Sequence, residues 1–206
     1  MMTTEYLAEE TPETLRLQAN SLRFLANLFV APLNGMQLDQ AHVFLTTLGY
    51  DPGEETAEEI RADFVSLFVG LRKTLAPPWE SVYVSRERRV FQEPTLAVRR
   101  AYLEAGLHHN KMFEAPDDHI SLELEFVACL DERLAVALES GSLDQVSELG
   151  RRKQCFVEDH LARWIGMFAT DILAHATTEF WKGVALTLRT FFPPAGSAQE
   201  SAVKGG

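Results

Sequence analysis

The chain has 206 residues, 46% of them hydrophobic and 24% charged, a composition that supports a sizeable core and excludes disorder along the whole length. Its 30 Asp and Glu outnumber its 19 Lys and Arg, for a formal net charge of −11. Such a chain repels phosphate backbones, which argues against nucleic-acid binding and for a cationic partner.

Hydrophobic spacing of three and four dominates from the start. Thr11 and Pro12 read as a cap and a first helical position, and Leu15, Leu22, Leu25 and Phe29 continue as a stripe. Leu38, Ala41, Leu45 and Leu48 form a second helix that stops at Gly49. Ala57, Ile60, Phe64, Leu67, Phe68 and Leu71 make the cleanest stripe of the chain. Acids gather around these segments, with a net of −4 over residues 1–13 and −5 over 51–63, and both windows read as solvated helix faces.

The middle of the chain predicts a helix from about Pro94 to Ala105, stopped by Gly106, and another from Asp118 to just before Gly141. A short helix follows on Leu143, Val146 and Leu149. A longer one carries Phe156, His160, Leu161, Trp164, Phe168 and Ile172 on one face. The last holds Phe180, Val184, Leu188 and Phe191 and ends at Pro193-Pro194. Strand-like alternation is nearly absent, and only Val82-Tyr83-Val84 reads as a candidate for extended chain. The expected fold is therefore all-α, a single irregular helical bundle over residues 1–194, with a small, polar tail at 195–206 expected to be disordered.

Two cysteines, Cys129 and Cys155, are too few for a disulfide framework, and Cys129 reads as a small core residue. The first residues are acidic, with no basic segment ahead of an apolar core, and no apolar run approaches the ~18 residues of a membrane span. A cytoplasmic, reducing location is expected. The glycines make no phosphate-binding loop, and neither a nucleophile elbow nor a zinc-ligand spacing is present.

The unusual chemistry sits in two long connections, 74–95 and 106–119, each longer than the roughly 2–8 residues usual between bundle helices. The first holds Pro77-Pro78-Trp79-Glu80-Ser81-Val82-Tyr83, whose stiff prolines and flat aromatics suit either a plug for the bundle or a wall for an apolar peptide. The run Arg86-Glu87-Arg88-Arg89 after it reads as a solvated turn. The second leads through Glu114, Pro116, Asp118 and His119 into the long central helix. There Pro116 sets the entry angle, Asp117 or Asp118 caps the helix, and His119 falls in its first turn. This start lies in a window of −7 over residues 114–132, with no base in it. A carboxylate held beside an imidazole can face a basic ligand. The competing chemical reading is a small metal-dependent hydrolase using Glu114, Asp118, His119 and Glu123, although no second ligand pair accompanies them.

Taken in order, Phe64-x-x-Leu67-Phe68-Val69-Gly70, Pro77-Pro78-Trp79-Glu80-Ser81-Val82-Tyr83, Gln92-Glu93-Pro94-Thr95 and Glu114-x-Pro116-x-Asp118-His119 resemble the TorD/DmsD family of cytoplasmic chaperones for molybdenum-containing redox enzymes. His175-Ala176-Thr177-Thr178 with Phe180-Trp181 fits its C-terminal part, so the resemblance covers roughly residues 15–192. It implies an all-helical fold with no catalysis, no cofactor and no bound metal. The implied partner is the apo form of a molybdopterin-dependent oxidoreductase and its twin-arginine leader, held until the cofactor is inserted and export can proceed. For some members it also implies a domain-swapped dimer. Carried over, the leader-binding residues are Leu67, Phe68, Pro78, Trp79, Tyr83, Glu114, Pro116, Asp118 and His119. The family often has Glu-Pro-x-Asp-His; here Ala115 precedes Pro116 and the glutamate stands one place earlier, which lowers the role of Glu114. An exposed Arg–carboxylate pair contributes about 0–1 kcal/mol. Burying roughly 400 Å² of apolar leader contributes up to ~10 kcal/mol before ordering costs. The aromatic loop is therefore expected to supply affinity, and the acids to steer and select.

Overall fold

A computed structural model of the chain describes residues 10–70, 74–85, 93–108 and 115–193. Its helices are α1 (Pro12–Leu28), α2 (Gly35–Thr47), α3 (Ala57–Phe64), α4 (Glu80–Val84), α5 (Glu93–Glu104), α6 (Ile120–Glu139), α7 (Leu143–Phe156), α8 (Ala162–His175) and α9 (Glu179–Phe191). A π-helical turn, Val65–Val69, prolongs α3, and a second, Val157–Leu161, joins α7 to α8. Among the described residues there is no β-strand, only one isolated antiparallel bridge between Trp79 and His119. The all-α expectation holds, while Leu71, the Arg86–Arg89 run and the 195–206 tail lie outside the described residues.

The helix starts follow from their caps. Thr11, Asn34 and Thr56 each accept a hydrogen bond from the third residue of the following helix, whose side chain answers the cap's own N–H. Gly70, at φ +57°, ends the first π turn by donating its N–H to the Val65 carbonyl, a left-handed position that a residue with a Cβ adopts only at a cost. Two expectations are corrected here. Val82-Tyr83-Val84 is helical within α4, because Asp118 supplies acceptors to the α4 start and outweighs the β propensity of three residues. The short and long helices expected after Gly141 form one continuous rod, since the π turn inserts without breaking the helical path at Val157 or Ala162.

α1 packs chiefly along α6, α6 on α7, and α8 on α9. Under them lies an aromatic core in which Phe68 is edge-on to Trp181 (4.9 Å between ring centroids) and to Phe29 (5.3 Å), with Phe64 and Phe168 adjoining. Asp63 ties α9 to this core. Its Oδ2 accepts from the N–H groups of Thr177 and Thr178 (3.0 Å each) and from the Thr178 hydroxyl (2.8 Å), while Trp181 Nε1 donates to the Ile60 carbonyl (3.0 Å). Asp63 was expected on a solvated face; it is buried, because the Thr177 and Thr178 N–H groups just ahead of α9 need an acceptor there. Cys129 is likewise not a core residue but half-buried, with its sulfur between Arg23 and Glu125.

Candidate functional site

The two long connections meet. The Glu80 N–H donates to the Asp118 carbonyl (3.0 Å) and the Ile120 N–H donates to the Pro78 carbonyl (2.9 Å), so Pro78-Trp79-Glu80 runs antiparallel to Asp118-His119-Ile120. Asp118 completes the junction, its Oδ2 accepting from the Ser81 N–H (2.9 Å) at the start of α4. The Trp79 ring stands edge-on to the His119 ring at 5.7 Å. Sequence motifs some 40 residues apart thus form one structural unit.

Burial divides the expected site residues. Trp79, Tyr83 and Pro116 are half-buried and keep surface available, whereas Pro78 is buried behind them. Leu67 and Phe68 belong to the aromatic core beneath. Asp118 is fully enclosed and His119 nearly so. Glu114 lies outside the described residues. Tyr83 stacks on Trp164 (5.6 Å, 27° between ring planes), and its hydroxyl donates to Asp171 Oδ2 (3.1 Å).

His119, not Asp117 or Asp118, caps α6. Its Nδ1 accepts from the Ser121 N–H (3.2 Å) and meets the Ser121 hydroxyl at 2.7 Å. A ring nitrogen that accepts there places the proton of the neutral imidazole on Nε2. Burial agrees with the neutral form, pushing the His119 pKa down to about 4. Asp117 instead pairs with Arg99 (Nε to Oδ2, 2.7 Å), and the Tyr102 hydroxyl donates to the Asp117 carbonyl (3.0 Å).

Beneath the junction lies a buried polar layer that sequence reading did not assemble. Glu80, fully buried, meets His160 Nδ1 through Oε2 (2.9 Å); Glu123, also fully buried, accepts from Trp164 Nε1 (3.1 Å). Burial raises the Glu123 pKa well above the usual carboxylate range, and the charges of Glu80 and Asp118 add to it. One oxygen each of Glu80, Asp118 and Glu123 has no hydrogen-bond partner among the described residues. The signal in the sequence was Glu123 and His160 on otherwise apolar helical stripes; Glu80 lay in a connection and carried none.

The −7 window is not an open acidic face. Asp117 pairs with Arg99, Glu125 and Glu132 with Arg23, and Asp131 with Lys153 (2.6 Å), while Asp118 and Glu123 are enclosed. Among the described residues no group of three or more His, Cys, Asp and Glu side chains is arranged to hold a metal ion, and the hydrolase reading finds no support. Nor is any described helix long and apolar enough to cross a membrane.

A family model described as nitrate reductase delta subunit matches residues 22–170. The chain is 30% identical over 128 residues to a protein named chaperone protein TorD from Photobacterium profundum, a match covering 62% of this chain and 58% of that protein. It is 25% identical over 169 residues to TorD of Aliivibrio fischeri, covering 82% and 76%. It is 28% identical over 125 residues to the Tat proofreading chaperone DmsD of Salmonella typhi, covering 60% and 53%. The matches to the Photobacterium and Salmonella proteins therefore span little more than half of those relatives. A crystal structure assigned to redox enzyme maturation, from Archaeoglobus fulgidus, has the same fold at a TM-score of 0.53 and 20% identity, covering 84% of this chain and 92% of that one.

Proposed function

Because the chain belongs to the nitrate reductase delta subunit family and has the TorD and DmsD chaperones among its relatives, we propose that it is a chaperone for a molybdopterin-dependent oxidoreductase. It binds the apoenzyme and its twin-arginine leader, assists cofactor insertion and delays export. The observation that carries this reading is the junction of the two loops, which leaves Trp79, Tyr83 and Pro116 partly exposed on a rigid base.

The residues have different parts in it. The apolar segment of the leader lies against Trp79, Tyr83 and Pro116. Pro78, Leu67 and Phe68 back that surface from within. Asp118 holds the two loops in register through Ser81 and His119 caps α6 through Ser121, so they position the surface and do not touch the leader's arginines. Aromatic anchors over a packed base are where binding free energy concentrates.

Calorimetry with a leader peptide tests this directly. Trp79→Ala is expected to weaken binding by about tenfold or more with the fold intact by circular dichroism. Unchanged affinity would overturn the assignment of the surface. Failure of the unaltered protein to bind any arginine-pair leader, together with failure to capture a molybdoenzyme from cells of its source, would overturn the function.

A further inference from the structure

A leader that opens with an arginine pair needs a carboxylate that is accessible and not already neutralised. The carboxylates against the aromatic loop mostly fail one condition. Glu80, Asp118 and Glu123 are fully buried, and Asp117 is buried and paired with Arg99. Asp171 meets both. It is half-buried on α8, and its carboxylate receives one hydrogen bond among the described residues, from the neutral Tyr83 hydroxyl (3.1 Å). His175, one turn on, engages the Asp171 main-chain carbonyl (2.8 Å) and not the carboxylate.

The surroundings fit the same ligand. Met167, one turn before Asp171 on α8, is 45% exposed, so apolar surface and an acid stand side by side on the helix that also carries Trp164 under Tyr83. Tyr83 links this strip to the loop that carries Trp79. We infer that Asp171 is the carboxylate that selects an arginine of the leader, with Tyr83 holding it in place. A guanidinium donates in a planar fork, and an oxygen already taking one hydrogen bond from Tyr83 leaves the other oxygen to receive it. This inference rests on the leader-binding reading and names the group within it that reads charge.

The probe is a synthetic peptide with an Arg–Arg pair followed by about a dozen apolar residues, together with its Gln–Gln version. Both are titrated at low and high salt against the unaltered chain, Asp171→Asn and Asp171→Glu. Asp171→Asn keeps the acceptor for Tyr83 and is expected to weaken the Arg–Arg peptide about five- to tenfold at low salt, less at high salt, and to leave the Gln–Gln peptide unchanged. Asp171→Glu is expected to recover part of the loss. An equal loss for both peptides would mean a structural role, and no loss for either would mean no contact; each overturns the inference while leaving leader binding intact. If the unaltered chain binds neither peptide, the leader-binding reading and this inference fall together.

Discussion

Burial of the His119 ring holds its pKa down to about 4, and the imidazole is neutral, with its Nδ1 accepting from the Ser121 N–H. Unfolding returns it to about 6.5. Between those values the unfolded chain binds more protons, so the stability His119 contributes is present above pH 6.5 and lost as pH falls to 4, on the order of 3 kcal/mol in all. Asp131 acts in the opposite sense. Burial raises its pKa to about 6 despite Lys153, so the folded state binds more protons than the unfolded one between about 4 and 6, and acidification through that window favours folding. In denaturant titrations across pH 4–7, His119→Asn is therefore expected to lose less stability on acidification than the unaltered chain, and Asp131→Asn to lose more. Identical pH slopes in all three would contradict both assignments. Glu123 gives a third prediction at this scale. Its carboxyl is held toward the neutral form, so Glu123→Gln, which keeps an acceptor for Trp164, is expected to be at least as stable at pH 8 as the unaltered chain.

At the scale of elements, two buried carboxylates do work that helix propensity leaves undone. α4 spans only Glu80–Val84, too short to persist alone, and its start depends on the Asp118 main-chain and side-chain acceptors. α9 depends on Asp63, which takes three hydrogen bonds at the Thr177-Thr178 turn. Asp118→Ala leaves the Ser81 N–H without its acceptor and is expected to cost about 1–2 kcal/mol. Asp63→Ala strands three donors and is expected to cost about 2–4 kcal/mol, measured as the shift in urea unfolding. Negligible costs would show that these helix starts are held by packing alone. These elements also mark where the sequence was readable. α1, α2 and α3 follow from caps and stripes confined to one segment, whereas α4 looked extended because what makes it a helix lies 37 residues away.

Over the whole molecule, part of the acidic charge is enclosed or paired, most of all in the window before and along α6. Arg23 on α1 holds Glu125 and Glu132 of α6, and Lys153 of α7 holds Asp131 and Glu10. These pairs cross between segments and add charge pairing to the apolar packing of α1 and α7 on α6. Arg23→Ala is expected to lower stability by about 1 kcal/mol, more at low salt than at high salt, because it leaves two acids together on an acidic chain. No salt dependence would show the pairs to be incidental. Of the candidate site, residues 77–83 and 116–119 were legible as unusual loops, and their order carried the family. Their mutual bridge, the buried Glu80–His160 and Glu123–Trp164 pairs and the half-buried Asp171 were not. The all-helical class, most helix limits, the family and the two unusual loops were readable from the chain alone, because caps and three-four spacing are local and the motifs keep a fixed order. Which acids are enclosed and which keep accessible surface was settled in the folded chain, because burial and pairing depend on helices that are distant in the chain and adjacent in space.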